Sequence, residues 1–163
     1  MERSDILGND GIRDLMMKII YTDNSGNTCI VTPAAQEDVA LVLPEIAAMT
    51  QAEFIEWIKA KDVPADATNV SIVAADSIPT DRTFRNALKH DLTHDKQKCV
   101  DITNNRLRAD RAPLLAELDV QVIRAQETGA ETALFIAEKQ RLRDITKIAN
   151  PSMTLEELKA LKA

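Results

Sequence analysis

The stretch LRADRAPLLAELDVQVIRAQETGAETALFIAEKQRLRDITKI, Leu107 to Ile148, decides the fold. Within it Leu107, Leu114, Leu118, Val122 and Ala125 recur at spacings of seven, four, four and three, the period of one apolar helical face. Thr128-Gly129 breaks the pattern, since glycine accepts the left-handed conformation that ends a helix and lets the next one return. The return helix is expected from Ala130 to Ala149, with Leu134, Ile145 and Ile148 on one side and Phe135 and Leu142 beside them, before Asn150-Pro151 stops it. Two such rods can close an apolar seam as an antiparallel helical hairpin. Asp101 is the expected N-cap of the first rod. Pro113 lacks an N–H and crowds the preceding turn, which leaves open one bent helix or two collinear segments.

Upstream of the hairpin the pattern changes. Lys98-Cys99-Val100 reads as a brief strand, and Asp81 to Leu88 as one short helix. Further back, Lys18 to Thr22 and Thr28 to Thr32 are rich in β-branched residues and flank the turn formers Asp23-Asn-Ser-Gly-Asn27, so a β-hairpin is expected. That turn spaces oxygens like the start of a calcium loop, but the position of the bidentate glutamate falls on Ala34, which favours a plain turn. Ala34 to Leu43 can form a short helix ended by Pro44. Thr50-Gln-Ala-Glu53 is a capping box with Met49 placed to staple against Phe54, predicting a helix from Gln51 to Ala60 that buries Phe54, Ile55 and Ile58 with Trp57 at the margin. Val70 to Ala74 reads as a third strand. A second capping box, Thr154 to Glu157 with Met153 opposite Leu158, opens a terminal helix.

The expected fold class is therefore α+β: a small β-hairpin, helix and strand unit over residues 17–80, then a mainly helical region over 81–163 with the helical hairpin. Residues 1–16, with Gly8 and Gly11, are expected to be a flexible leader.

Composition bounds the function. The chain has 163 residues, 45% hydrophobic and 28% charged, enough to bury a core without a metal or disulfide staple. The longest clean apolar run, Val39 to Leu43, is far short of the ~20 residues that span a bilayer. Cys29 and Cys99 are isolated thiols, which fits a reducing compartment. Residues 1–80 hold 5 Lys or Arg against 13 Asp or Glu, whereas residues 81–163 hold 15 against 13. The overall charge of −6 speaks against a general nucleic-acid binder. A basic belt of Arg82, Arg85, Lys89, Lys96, Lys98, Arg106, Arg108 and Arg111 interrupts that trend, yet only Phe84 stands near it for base stacking, and an acidic protein surface is an equally suitable partner.

Chemistry-bearing clusters are sparse. His90 and His94 could share a metal only if their stretch were helical and further ligands converged, and Cys99 with either histidine lacks an orienting third group and an oxyanion site. No catalytic residue, metal or cofactor is assigned, and the expectation is a protein without enzymatic activity.

Arg108-Ala-Asp-Arg111-Ala-Pro-Leu114-Leu115, then Leu118-Asp119, then Lys139-Gln-Arg-Leu142-Arg143-Asp144-Ile145-Thr146 together form a recognisable pattern. Over residues 105–147 it resembles the bacteriophage tail-fibre assembly chaperone-like domain, departing from it where Val120 follows Asp119 in place of an aromatic. Met17-Lys-Ile-Ile-Tyr-Thr-Asp and Asp81-Arg-Thr-Phe-Arg-Asn-Ala are similar to uncharacterised proteins encoded beside phage structural genes. The resemblance implies a phage or prophage protein that binds another virion protein and assists tail-fibre assembly in the bacterial host cytoplasm. A minor virion structural protein is the alternative, a DNA-binding regulator the second alternative, and self-association is left open. On this reading Arg108, Arg111, Asp119, Arg143 and Asp144 are the partner-binding residues.

Overall fold

The computed structural model describes residues 17–163; the expected leader, residues 1–16, lies outside them. The chain divides into two compact units, one running to Thr80 and including Lys89–Leu92, the other made of Asp81–Leu88 and Thr93–Ala163.

The first unit is a three-stranded antiparallel sheet with helices packed on it. Strands β1 (Met17–Thr22) and β2 (Thr28–Val31) form the expected hairpin, and β3 (Thr68–Ala74) pairs with the other side of β1, giving the order β2-β1-β3. The turn is held by Asp23, whose carboxylate accepts the backbone N–H groups of Ser25 and Asn27 at 2.9 and 2.8 Å. Gly26, at φ +77°, supplies the left-handed residue the turn requires. Those bonds hold the Asp23 carboxyl below the usual carboxylate range, the Asn27 N–H contributing most.

Helix α1 (Gln36–Ala40) is shorter than expected, because the chain leaves it before Pro44 and enters a separate 3-10 turn at Pro44–Ala48. The Gln36 amide joins the two by donating to the carbonyls of Ile46 and Met49 at 2.9 and 2.8 Å. Helix α2 (Gln51–Asp62) starts at the expected capping box, with Thr50 Oγ1 accepting from the Glu53 N–H and Glu53 accepting from the Thr50 N–H. Its buried residues are Phe54, Ile55 and Ile58, which pack with Ile19 and Ile46 to form the core of this unit.

The second unit is built on α3 (Lys96–Glu127), 32 residues and so about 48 Å long. Three sequence expectations are corrected here. The helix begins at Asp95, whose side chain accepts from the Lys98 N–H at 3.0 Å, so Asp101 is an exposed residue inside it and not its cap. Lys98-Cys99-Val100 is helical, because Cys99 and Val100 are needed on the buried face against Phe84, Ala87, Ala149 and Leu158, and that packing outweighs a mild strand preference. Asp81 to Leu88 is mostly irregular, with helical character only as a 3-10 turn at Arg85–Ala87.

Pro113 lies inside one continuous helix. Both Pro113 and Ala109, whose carbonyl loses its N–H partner, are exposed, so water can take over that bond. After Gly129, at φ +69°, the chain returns as α4 (Ala133–Asp144), continues as a 3-10 turn at Ile145–Lys147, and ends with α5 (Leu155–Ala160) behind the second capping box. No helix among the described residues is long and apolar enough to cross a membrane.

Candidate functional site

The helical hairpin is antiparallel: Asp119 of α3 pairs with Lys139 of α4, while Arg111, two turns earlier in α3, reaches Leu142 and Arg143 near the far end of α4. The face of α3 carrying Arg111, Leu115, Leu118, Val122 and Ala125 is the less exposed one. On α4 the inward positions are Phe135, Leu142 and then Ile145, whereas Leu134 is 81% exposed and Ile148 is also exposed. The expected seam is thus corrected at those two residues and at Leu114 of α3, which is exposed while Leu115 takes the inward position. Helix α4 starts three residues later than the sequence suggests, and Leu134 stands about 80° round it from the buried Leu142, off the inward side.

Two arginines of α3 hold the shorter helices by their C-terminal ends. Arg106 Nη2 donates to the carbonyls of Leu158 and Leu161 at the end of α5, both at 2.9 Å. Arg111 Nη1 donates to the carbonyls of Leu142 and Arg143 at the end of α4, at 3.1 and 2.7 Å. The last carbonyls of a helix have no partner within it and carry its negative dipole end, so a guanidinium satisfies both the bonding and the electrostatic deficit. Lys96 donates to the Met153 carbonyl at 2.9 Å, in the turn ahead of α5.

These contacts change how the five expected partner-binding residues are employed. Arg111 is committed to the end of α4, Asp119 to Lys139, and Asp144 to Lys147 and to the Gln140 amide at 2.7 Å. The Lys147 ammonium, then Gln140, holds the Asp144 carboxyl below its ordinary range. Arg108 bonds Asn105 Oδ1 at 2.8 Å and has no carboxylate partner among the described residues. Arg143 is exposed and its side chain has no ion pair among them either. Arg108 and Arg143 thus keep exposed guanidinium groups, Arg111 and Asp119 join α3 to α4, and Asp144 bonds within its own segment.

A second feature of α3 escaped the reading of its sequence. Ala109, Pro113, Ala116, Val120 and Ile123 are all exposed and succeed one another at spacings of four, three, four and three. That is the heptad repeat of a helix seam, and it lies on the side turned away from α4. Val120 and Ile123 are 46% and 55% exposed. The signal is present in the letters, but one apolar stripe is enough to account for a helix, so the second on its opposite side is masked by the first.

His90, His94 and Cys99 each have their own surroundings. Residues 88–95 are not helical, His90 Nε2 lies 2.9 Å from Ser71 Oγ, and His94 forms a bridge with Leu88. Cys99 is fully buried, and burial pushes its thiol above the ordinary range. Both cysteines are free thiols, and among the described residues no three His, Cys, Asp or Glu side chains gather as metal ligands would. Comparison of the chain with protein-family models, with curated proteins and with solved structures found no match in any of the three.

Proposed function

We propose that this is a non-enzymatic, phage-derived protein that binds another virion protein through its helical hairpin and assists tail-fibre assembly in the host cytoplasm. The observation that carries the reading is the exposed stripe Ala109, Pro113, Ala116, Val120 and Ile123, an uncharged seam at heptad spacing on a helix already packed on its other side. Such a stripe suits a helical segment of another chain, and the exposed Arg108, next to Ala109 on the same helix, supplies a polar contact for it. The family resemblance over residues 105–147 names the class of client.

The test is co-expression with a phage tail-fibre protein. The fibre is expected to stay soluble with the native chain and to precipitate with Ile123→Glu, a change at an exposed position that leaves the fold intact. Equal fibre solubility with native chain, with variant and with neither sinks the proposal.

The alternative is a minor structural component of the particle, which uses the same stripe permanently. Mass spectrometry of purified virions separates the two, stoichiometric copies favouring the component. A DNA-binding role draws less support, because Lys96, Arg106 and Arg111 of the basic belt are committed to main-chain carbonyls.

A further inference from the structure

The first unit holds an open cavity of about 380 Å³. Its apolar wall is made by Val39, Val42 and Leu43, from α1 and the segment after it, and by Trp57 and Ile58 of α2. Beside it the chain turns outward between α1 and Pro44, leaving Leu41 83% and Val42 79% exposed. Two consecutive aliphatic side chains in water at the mouth of an apolar hollow form a small docking surface.

Charge specifies what fits. Residues 17–80 carry three lysines against nine carboxylates. Of those lysines, Lys61 at the cavity is already engaged, its ammonium 5.3 Å from the centre of the Trp57 ring and 3.6 Å from Asp62. Asp38, on the cavity wall, and the adjacent Glu37 have no ion-pair partner among the described residues. The hollow is therefore apolar within and uncompensated negative at its rim. That combination repels phosphate-rich ligands and anionic lipid surfaces, and it attracts an aliphatic anchor flanked by cations.

We propose that this cavity binds a short segment of a partner protein in which one or two aliphatic side chains are flanked by Lys or Arg, the aliphatic group entering between Val42 and Trp57. The inference goes beyond the hairpin reading and stands without it, since it uses only residues of the first unit.

Trp57 is the single tryptophan of the chain, so its emission reports occupancy directly. The probe is a nine-residue peptide with a central Leu-Leu pair flanked on each side by Lys and Arg, and its control replaces every basic residue with Glu. Titrated into the full-length protein, the basic probe is expected to shift Trp57 emission saturably and to weaken as salt rises. Asp38→Lys should weaken it about five-fold and Val42→Asp at least about ten-fold. Both positions are exposed, and circular dichroism matching the native chain verifies that each variant folds.

Equal binding of the acidic control, unchanged binding by Val42→Asp, or no saturable shift by about 1 mM probe overturns the proposal. So do two further outcomes. If Ile6→Ser with Leu7→Ser tightens the probe about ten-fold, the occupant is the chain's own N-terminal stretch; if emission shifts with protein concentration alone, it is a second copy.

Discussion

The two halves of α3 are the same helix in opposite circumstances. From Lys96 to Leu107 it buries Cys99, Val100, Thr103 and Leu107; from Arg108 to Glu127 it buries only Ala125. The first half is held by apolar packing against Phe84, Ala87, Ala149 and Leu158, and the second by α4 through the Arg111 and Asp119 contacts. A helix can thus be carried past its core when its far part is clamped by charged hydrogen bonds, and the part carried past is left with an apolar stripe that the fold does not use. In the core half, buried side chains set stability; in the extended half, most side chains are exposed and carry little of it.

The largest expected effect comes from breaking the buried half. Leu107→Ala should cost about 2–5 kcal/mol in denaturant unfolding of the second unit, because Leu107 is fully buried. A loss under about 1 kcal/mol means that the packing of the first half is not what holds α3.

Next is the clamp on α5. Arg106→Ala removes a guanidinium bound to two carbonyls, and a loss of about 1.5–3 kcal/mol is expected in the same measurement. Hydrogen exchange should show α5 opening before α3.

The buried half also contains a defect. The Thr103 hydroxyl is buried with no hydrogen-bond partner among the described residues, so the isosteric Thr103→Val should raise stability by about 1 kcal/mol. A loss would show that the hydroxyl is satisfied after all.

Acid probes the surface charges of the second unit. The Lys159 ammonium and then the Thr83 N–H hold the Asp81 carboxyl well below the usual range. A depressed folded-state value means the unfolded chain takes up the proton first, near pH about 4. The contribution is therefore present above that pH and is lost as the pH falls through the folded-state value. Thermal midpoints from pH 5 downward should fall less steeply in Asp81→Asn than in the native chain, and identical slopes would remove Asp81 from the account.

The smallest effect is expected at the other end of α3. Ile123→Ala should change stability by no more than about 0.5 kcal/mol, since the side chain is more than half exposed. A cost as large as that of Leu107→Ala would abolish the distinction between the two halves.

What the chain's letters disclose falls into local and distant features. Both capping boxes, Thr50 with Glu53 and Thr154 with Glu157, were legible because the bonds that make them span three residues. The Asp23 to Asn27 turn and the Gly129 break were legible for the same reason. The five expected partner-binding residues illustrate the opposite case. Arg108 and Arg111 look alike in the sequence, yet one is left exposed and the other reaches carbonyls more than thirty positions away.

The α+β class, the hairpins of both kinds and the places where helices begin behind a capping box are written in the letters, since short-range bonding and apolar periodicity act between neighbours. That α3 starts at Asp95 and runs through Pro113, which arginines close the ends of other helices, and which of two apolar stripes is buried were settled by the folded chain. Those outcomes depend on what lies across the gap from a side chain, and a periodic pattern says that a face exists without saying what covers it.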